Sequence, residues 1–149
     1  MEKVYVENRR VRFDYDILDT YQAGIILEGH EVKGIRIGRM QVAGSYAKIF
    51  NNELWLVGAS IHPYQTKNTA PDYDIQRTRK LLVKKSELKY LIGKLQERGL
   101  TLVPISVYNN GNRIKVLLGL SRAKKKFDKR EFIHTKEAKR KIERTVKQY

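Results

Sequence analysis

Three histidines, His30, His62 and His134, are the only imidazoles in the chain, and their spacing makes none of the arrangements that hold a metal. With no cysteine, thiolate catalysis, disulfides and cysteine-ligated zinc are excluded. Asp14 and Asp16 would share one face of a strand, as metal-binding carboxylates can. In a chain this basic, pairing with neighbouring Arg and Lys is the simpler role, and Asp72 and Asp74 are read the same way. No P-loop and no G-x-G-x-x-G fingerprint is present. The reading is therefore no enzyme, no metal and no cofactor. What the residues do offer is positive charge. Lys and Arg number 31 against 16 Asp and Glu, a formal net charge of +15 with a pI near 10.0. The last 29 residues alone, from Ser121, hold twelve basic and four acidic side chains. A basic extension on a basic body is the electrostatic outline of a polyanion binder, whose affinity draws on counterion release. Aromatics lie among these cations: Phe13, Tyr15, Tyr21, Tyr46, Trp55, Tyr64, Tyr73, Tyr108 and Phe127. RNA-binding barrels stack bases on such rings beside cationic grooves. Trp55, within Leu54-Trp55-Leu56-Val57, reads as core; Phe127, set between lysines, reads as a stacking residue.

The elements that must carry these side chains are mostly strands. Residues 1–10 read as an extended basic arm ending in Asn8-Arg9-Arg10. Val11, Phe13, Tyr15 and Ile17 alternate with Arg12, Asp14 and Asp16, predicting strand from Val11 to Leu27, with Gly24 at a bend. Glu28 to Arg39 is ambiguous; Val32 and Ile35 suit a short helix. Strands follow at Ser45–Phe50 and Glu53–Ala59, joined by Asn51-Asn52, a pair that tolerates positive φ. His62 to Thr78 is a long polar loop of the kind that is usually functional or mobile. Leu88, Leu91, Ile92 and Leu95 make the stripe of an amphipathic helix, capped by Ser86, with Arg98 in its last turn and Gly99 beyond it. A hairpin of Thr101–Tyr108 and Arg113–Leu120 turns at Asn109-Asn110-Gly111-Asn112, and Pro104 demands an edge or a bulge.

These elements predict a mainly β domain over residues 1–120 with peripheral helices. A six-stranded antiparallel barrel of the oligonucleotide-binding (OB) type is the first choice, and a generic α+β sheet the second. The β pattern stops after Leu120. In residues 121–149 the apolar stripe of Ala138, Ile142 and Val146 is thin, which predicts a tail disordered when free and helical on a phosphate-lined surface. No segment has signal-peptide or membrane-span character, so a cytoplasmic protein with no membrane partner is expected.

Asn8-Arg9-Arg10, Tyr21-Gln22-Ala23-Gly24-Ile25, Glu31-Val32-Lys33, Arg79-Lys80-Leu81-Leu82-Val83, Gly119-Leu120 and Lys125-Lys126-Phe127-Asp128-Lys129-Arg130 occur in that order. Together they resemble the blocks of the small protein B family, the transfer-messenger-RNA-binding (SsrA-binding) proteins, over nearly the whole chain. The resemblance implies a barrel related to the OB fold that grips the tRNA-like domain of transfer-messenger RNA. It implies delivery with elongation factor Tu to stalled ribosomes. There the tail folds in the empty mRNA channel, against ribosomal RNA, and signals to the decoding centre. A monomer is expected. The rival readings are a generic single-strand RNA binder or RNA chaperone and, on Asp14 and Asp16, a metal-dependent nuclease.

On that resemblance the body's RNA surface is expected at Asn8, Arg9, Arg10, Arg12, Gln22, Lys33, Arg36, Arg79, Lys80, Leu82 and Lys84. The ribosome-engaging tail is expected at Lys124, Lys125, Lys126, Phe127, Asp128, Lys129, Arg130, Lys136, Lys139, Arg140, Lys141, Arg144 and Lys147. Four positions depart from the family pattern. Gln22 stands where Glu is common, keeping an acceptor and losing the charge. Lys84 replaces Asn or His, Ala123 replaces a glycine at the hinge into the tail, and Phe127 replaces a frequent histidine.

Overall fold

The computed structural model describes residues 3–65, 67 and 69–125. Among the described residues, nine strands and three helices follow in the order β1 (Lys3–Glu7), α1 (Val11–Asp14), β2 (Tyr15–Ile25), α2 (Gly29–Arg36), β3 (Met40–Gln41), β4 (Tyr46–Phe50), β5 (Glu53–Val57), β6 (Ser60–Ile61), β7 (Arg79–Leu82), α3 (Lys85–Lys94), β8 (Leu100–Asn110) and β9 (Arg113–Ala123). The neighbour order β8-β4-β5-β7-β2-β9, closed by direct β8–β9 pairing, is a ring of six antiparallel strands. This is the expected OB-like barrel. β1 adds to the Ser106–Asn109 end of β8, and β3 pairs with β6 in a separate two-stranded sheet.

The core lies inside the ring, where alternate residues point inward: Tyr21 and Ala23, Leu54 and Leu56, Leu118 and Leu120 are all buried. Leu91 of α3 and Ile35 of α2 complete it, each fully buried. A smaller cluster of Val11, Val103 and Ile105 sits on the outside of β8 under α1.

Several expectations are met in detail. Asn51 and Asn52 both take positive φ, 51° and 58°, as a two-residue hairpin turn of this twist requires. The β8–β9 register shifts between Pro104 and Ser106, so β8 is bulged where its proline cannot donate. The second hairpin turns on only two residues, Gly111 and Asn112, with Gly111 at φ 64°.

Others need correction. Val11–Asp14 is a helical turn, not the start of a strand. The Val11 amide bonds to Asn8 O and the Asp14 amide to Arg10 O, and Val11 packs against Val103 and Ile105, so local hydrogen bonds override the alternating pattern. Lys3–Glu7, within the expected extended arm, is a strand paired with β8. α3 is entered at Lys84 rather than Ser86, because the Lys84 amide bonds to Glu87 Oε1 at 3.2 Å. It closes at Lys94, before Arg98, and Gly99 adopts φ 84° after a further turn. β9 runs through Ala123, beyond Leu120, because Ser121–Ala123 still have Tyr15–Ile17 as partners.

Candidate nucleic-acid interface

Three neighbouring strands, β7, β2 and β9, present one outer face. Tyr21 and Ala23 point into the barrel, so Gln22 and Gly24 point out. Gly24 lies opposite Leu82 on one side and Lys115 on the other. A Cβ on Gly24 would sit 3.5 Å from Leu82 Cβ and 3.6 Å from Lys115 Nζ, ordinary contact distances, so both side chains lie directly over the strand at this position. Leu82 remains 50% exposed, an apolar side chain kept on the surface. Gln22, Leu82, Lys84 and Lys115 line a depression of about 460 Å³, and Leu82, Lys115, Arg36 and Arg113 line its neighbour of about 310 Å³. The two share Leu82 and Lys115 and form one groove. Lys84, Lys115, Arg36 and Arg113 make it cationic, and its one carboxylate, Glu87, bonds the Lys84 amide. Chemically it offers ammonium and guanidinium groups for phosphates, an amide for hydrogen bonding, and an apolar surface for a base or sugar.

Gln22, Arg36, Leu82 and Lys84 are thus brought together as expected, with Lys33 exposed one turn earlier on α2. The rest are not part of this groove. Asn8 to Arg12 lie beside the other end of β2. From Tyr15 to Gln22 the strand rises about 23 Å at 3.3 Å per residue. Asn8 is tied down locally: its Nδ2 donates to Pro104 O at 3.0 Å and its amide to Ile105 O at 2.8 Å. Arg9 and Arg12 line a separate depression with Glu7 and Ser106. Arg10 stacks 5.0 Å over the Phe13 ring and pairs with Asp14 at 3.7 Å. Asp16 lies 4.0 Å from Lys124, so the two aspartates pair with cations, as expected, rather than with one another. The Lys124 ammonium also donates to Arg12 O at 2.8 Å and its amide to Asp14 O at 2.9 Å. Lys125 is exposed. The tail expectations from Lys126 to Lys147, Phe127, Asp128 and Arg130 included, lie outside the described residues.

Arg79 is a correction. Expected on the RNA surface, it is fully buried together with Glu31. Arg79 Nε donates to Glu31 Oε2 at 2.7 Å, Nη1 to Ala59 O at 2.9 Å, and Nη2 to Tyr73 Oη and Ile75 O, both at 3.0 Å. Along β7, Arg79 and Leu81 alternate inward while Lys80 and Leu82 alternate outward, so strand parity carries Arg79 inside. Glu31 Oε1 accepts from Arg77 Nη2 and from the Glu28 amide. Burial pushes the Glu31 carboxyl up, but the Arg77 bond, the Glu28 amide and the Arg79 charge outweigh it and hold the group down to about 2. Tyr73 Oη lies 3.0 Å from Glu31 Oε2, and burial together with that carboxylate pushes the phenol up to about 12. This network pins the far half of the His62–Thr78 loop and the start of α2, the helix that supplies Arg36 to the groove.

Trp55 is a second correction. It lies on the outer face of β5, half-buried, with its Nε1 donating to Phe50 O at 3.3 Å, while Leu54 and Leu56 fill the core. Lys115 and Arg113 were not among the expected site residues. The alternation of Lys115 against buried Ile114 and Val116 was a sufficient signal for its outward direction, though not for its neighbours.

Comparison with known proteins follows the same lines. The SmpB protein family model matches residues 5–148. The SsrA-binding protein of Thermosynechococcus vestitus is 45% identical over 146 residues, covering 98% of this chain and 96% of the relative. That of Carboxydothermus hydrogenoformans is 47% identical over 147 residues, with 99% and 98% covered. A chain in a solved structure described as "tmRNA-SmpB: a journey to the center of the bacterial ribosome" is similar at TM-score 0.67 and 48% identity, over 81% of this chain and 85% of that one.

Proposed function

This chain belongs to the SmpB family, and we infer that it is an RNA-binding adaptor of trans-translation. It binds the tRNA-like domain of transfer-messenger RNA and brings that RNA to stalled ribosomes. The observation that carries the reading is the groove over Gly24, where an exposed leucine is ringed by Lys84, Lys115, Arg36 and Arg113. A lone exposed leucine is unremarkable, but one framed by four cations suits a base or sugar whose phosphates lie on either side.

Gln22 and Leu82 contact the folded RNA's bases or sugars, and the cations, with Lys33 and Lys80 at the margins, hold its backbone. Asn8 orders the α1 corner, where Arg9, Arg10 and Arg12 join Lys124 and Lys125 at the root of the tail. Residues from Lys126 to Lys147 extend that basic surface into the mRNA channel and toward the decoding centre. Elongation factor Tu accompanies the complex, the chain acts as a monomer in the cytoplasm, and it performs no catalysis of its own.

The test is a truncation at the right place. Removing 121–149 would strip Ser121–Ala123 from their pairing with Tyr15–Ile17 and injure the barrel. Removing 126–149 spares every described strand. At near-physiological salt the shorter deletion should leave binding to a tRNA-like fragment largely intact and abolish tagging of stalled chains. Equal loss of both activities would refute the division of labour.

A further inference from the structure

Beyond the groove, the outer face of β4, β5 and β7 carries side chains that the fold leaves unused. Tyr46, Lys48 and Phe50 alternate outward along β4, with Tyr46 42% and Phe50 59% exposed. Trp55 lies opposite Lys48 on one side and Lys80 on the other. Its indole N–H is spent on Phe50 O, which fixes the ring beside the turn and leaves no donor for another partner. Lys48, Phe50, Trp55, Val57 and Thr78 line a depression of about 390 Å³. Lys80 is partly neutralised by Glu53 at 3.3 Å, whereas Lys48 has no ion-pair partner among the described residues.

We propose that this face is a second RNA-contact site, one that takes unpaired nucleotides. Three aromatic side chains on neighbouring strands, with a lysine between the two on β4, repeat the two contacts a single strand makes: ring faces for bases and cations for phosphates. Alternate residues on a strand are about 6.6 Å apart, close to the step between phosphates of an extended strand. An apolar protein segment would find the same rings but would have to bury Lys48 without a counter-charge, which disfavours it. A duplex is excluded by chemistry, since its bases offer no free faces. The site does not depend on what the groove binds.

Trp55 is the chain's one tryptophan, so its fluorescence reports this face and no other. Titration of the full-length protein with a short oligouridylate should quench that fluorescence saturably. Phe50→Ala should weaken the titrated affinity by roughly 5–150-fold, the loss expected for one stacked base. Lys48→Gln should lower the slope of log affinity against log salt by about 0.7, one phosphate contact on a single strand. Both variants should keep wild-type affinity for a folded tRNA-like fragment. Lys48→Gln alters only an exposed side chain and decides the matter should Phe50→Ala disturb the fold. Absent quenching, or quenching unchanged in both variants, would overturn the proposal. So would a photo-crosslinking analogue at position 50 that labels protein rather than RNA in stalled-ribosome complexes. Failure of the wild type to bind the folded fragment, with quenching intact, would count against the groove alone.

Discussion

Replacing Glu31 with Gln removes one buried negative charge between α2 and β7 and leaves two guanidinium groups facing a neutral amide. Glu31 and Arg79 are each 0% exposed, and Arg79 is held in place by Ala59 O and Ile75 O, so it cannot follow its charge into water. Breaking a buried pair from one side costs about 3–5 kcal/mol. A domain of this size is stable by only about 5–15 kcal/mol, and the melting temperature should fall by roughly 10–20 °C. The pH dependence supplies an independent figure. Glu31 ordinarily titrates at 4.5 and is held down to about 2 in the fold. A carboxyl depressed by folding contributes stability that is complete above its unfolded value and is lost as pH falls toward its folded value. At about 1.4 kcal/mol per pKa unit, the displacement from 4.5 to about 2 corresponds to about 3 kcal/mol. In urea unfolding, the difference between wild type and Glu31→Gln should therefore be constant from neutral pH to about pH 5 and shrink steadily below the 4.5 of the free carboxyl. A difference under about 1 kcal/mol at neutral pH, or one that does not shrink in acid, would refute the reasoning. The double change Glu31→Met with Arg79→Met should cost less than Glu31→Gln. It leaves no fully buried charge, and Arg77, 34% exposed, can be hydrated.

Leu82→Glu places a carboxylate at the centre of the groove; affinity for a tRNA-like fragment should fall roughly 10–100-fold. Because Leu82 is half exposed, the melting temperature should hardly move, and a large drop in stability would mean the leucine serves the fold instead. Lys115→Ala should weaken binding across RNA sequences alike and reduce the salt slope by about 1, read from binding isotherms at several salt concentrations. Gly34→Ala should destabilise by about 1–3 kcal/mol in urea, because a Cβ there runs into the carbonyl oxygen of His62 and α2 must move; an unchanged midpoint would show that the helix shifts freely.

The barrel was legible wherever one face of a strand is buried and the other is wet. Ile114, Val116, Leu118 and Leu120 announce β9 by alternation, and Asn51-Asn52 announces a turn by its tolerance of positive φ. Val11–Asp14 misled for the same reason it informs elsewhere: four residues alternate equally well on a strand and on a single helical turn with one buried member. Trp55 misled because hydrophobicity suggests burial, whereas parity with Leu54 and Leu56 decides it. Arg79 looked like surface because arginine is rarely fully buried unless paired, and its partner Glu31 is 48 residues away on another element. Long-range pairs leave no local trace in one sequence. The groove was half legible: Gln22, Leu82 and Lys84 came through resemblance, but Lys115 and Arg113 join them only through strand register.

β2 and β9 pair continuously but for one bulge, from Gly24↔Lys115 at the groove to Tyr15↔Ala123 at the root of the tail. Nine paired positions across two long strands make a stiff strut, and eight residues of β9 separate Lys115 from Ala123 by about 27 Å. At the far end, the backbone and ammonium of Lys124 are both bonded to α1, so the chain leaves the barrel in a set direction even though Ala123 stands at the hinge position. On the proposed function, RNA seated in the groove would fix the position of Lys124 and Lys125, where the tail begins. That geometry divides the basic residues expected to form one surface between two places, one around Gly24 and one around α1 where the described chain ends.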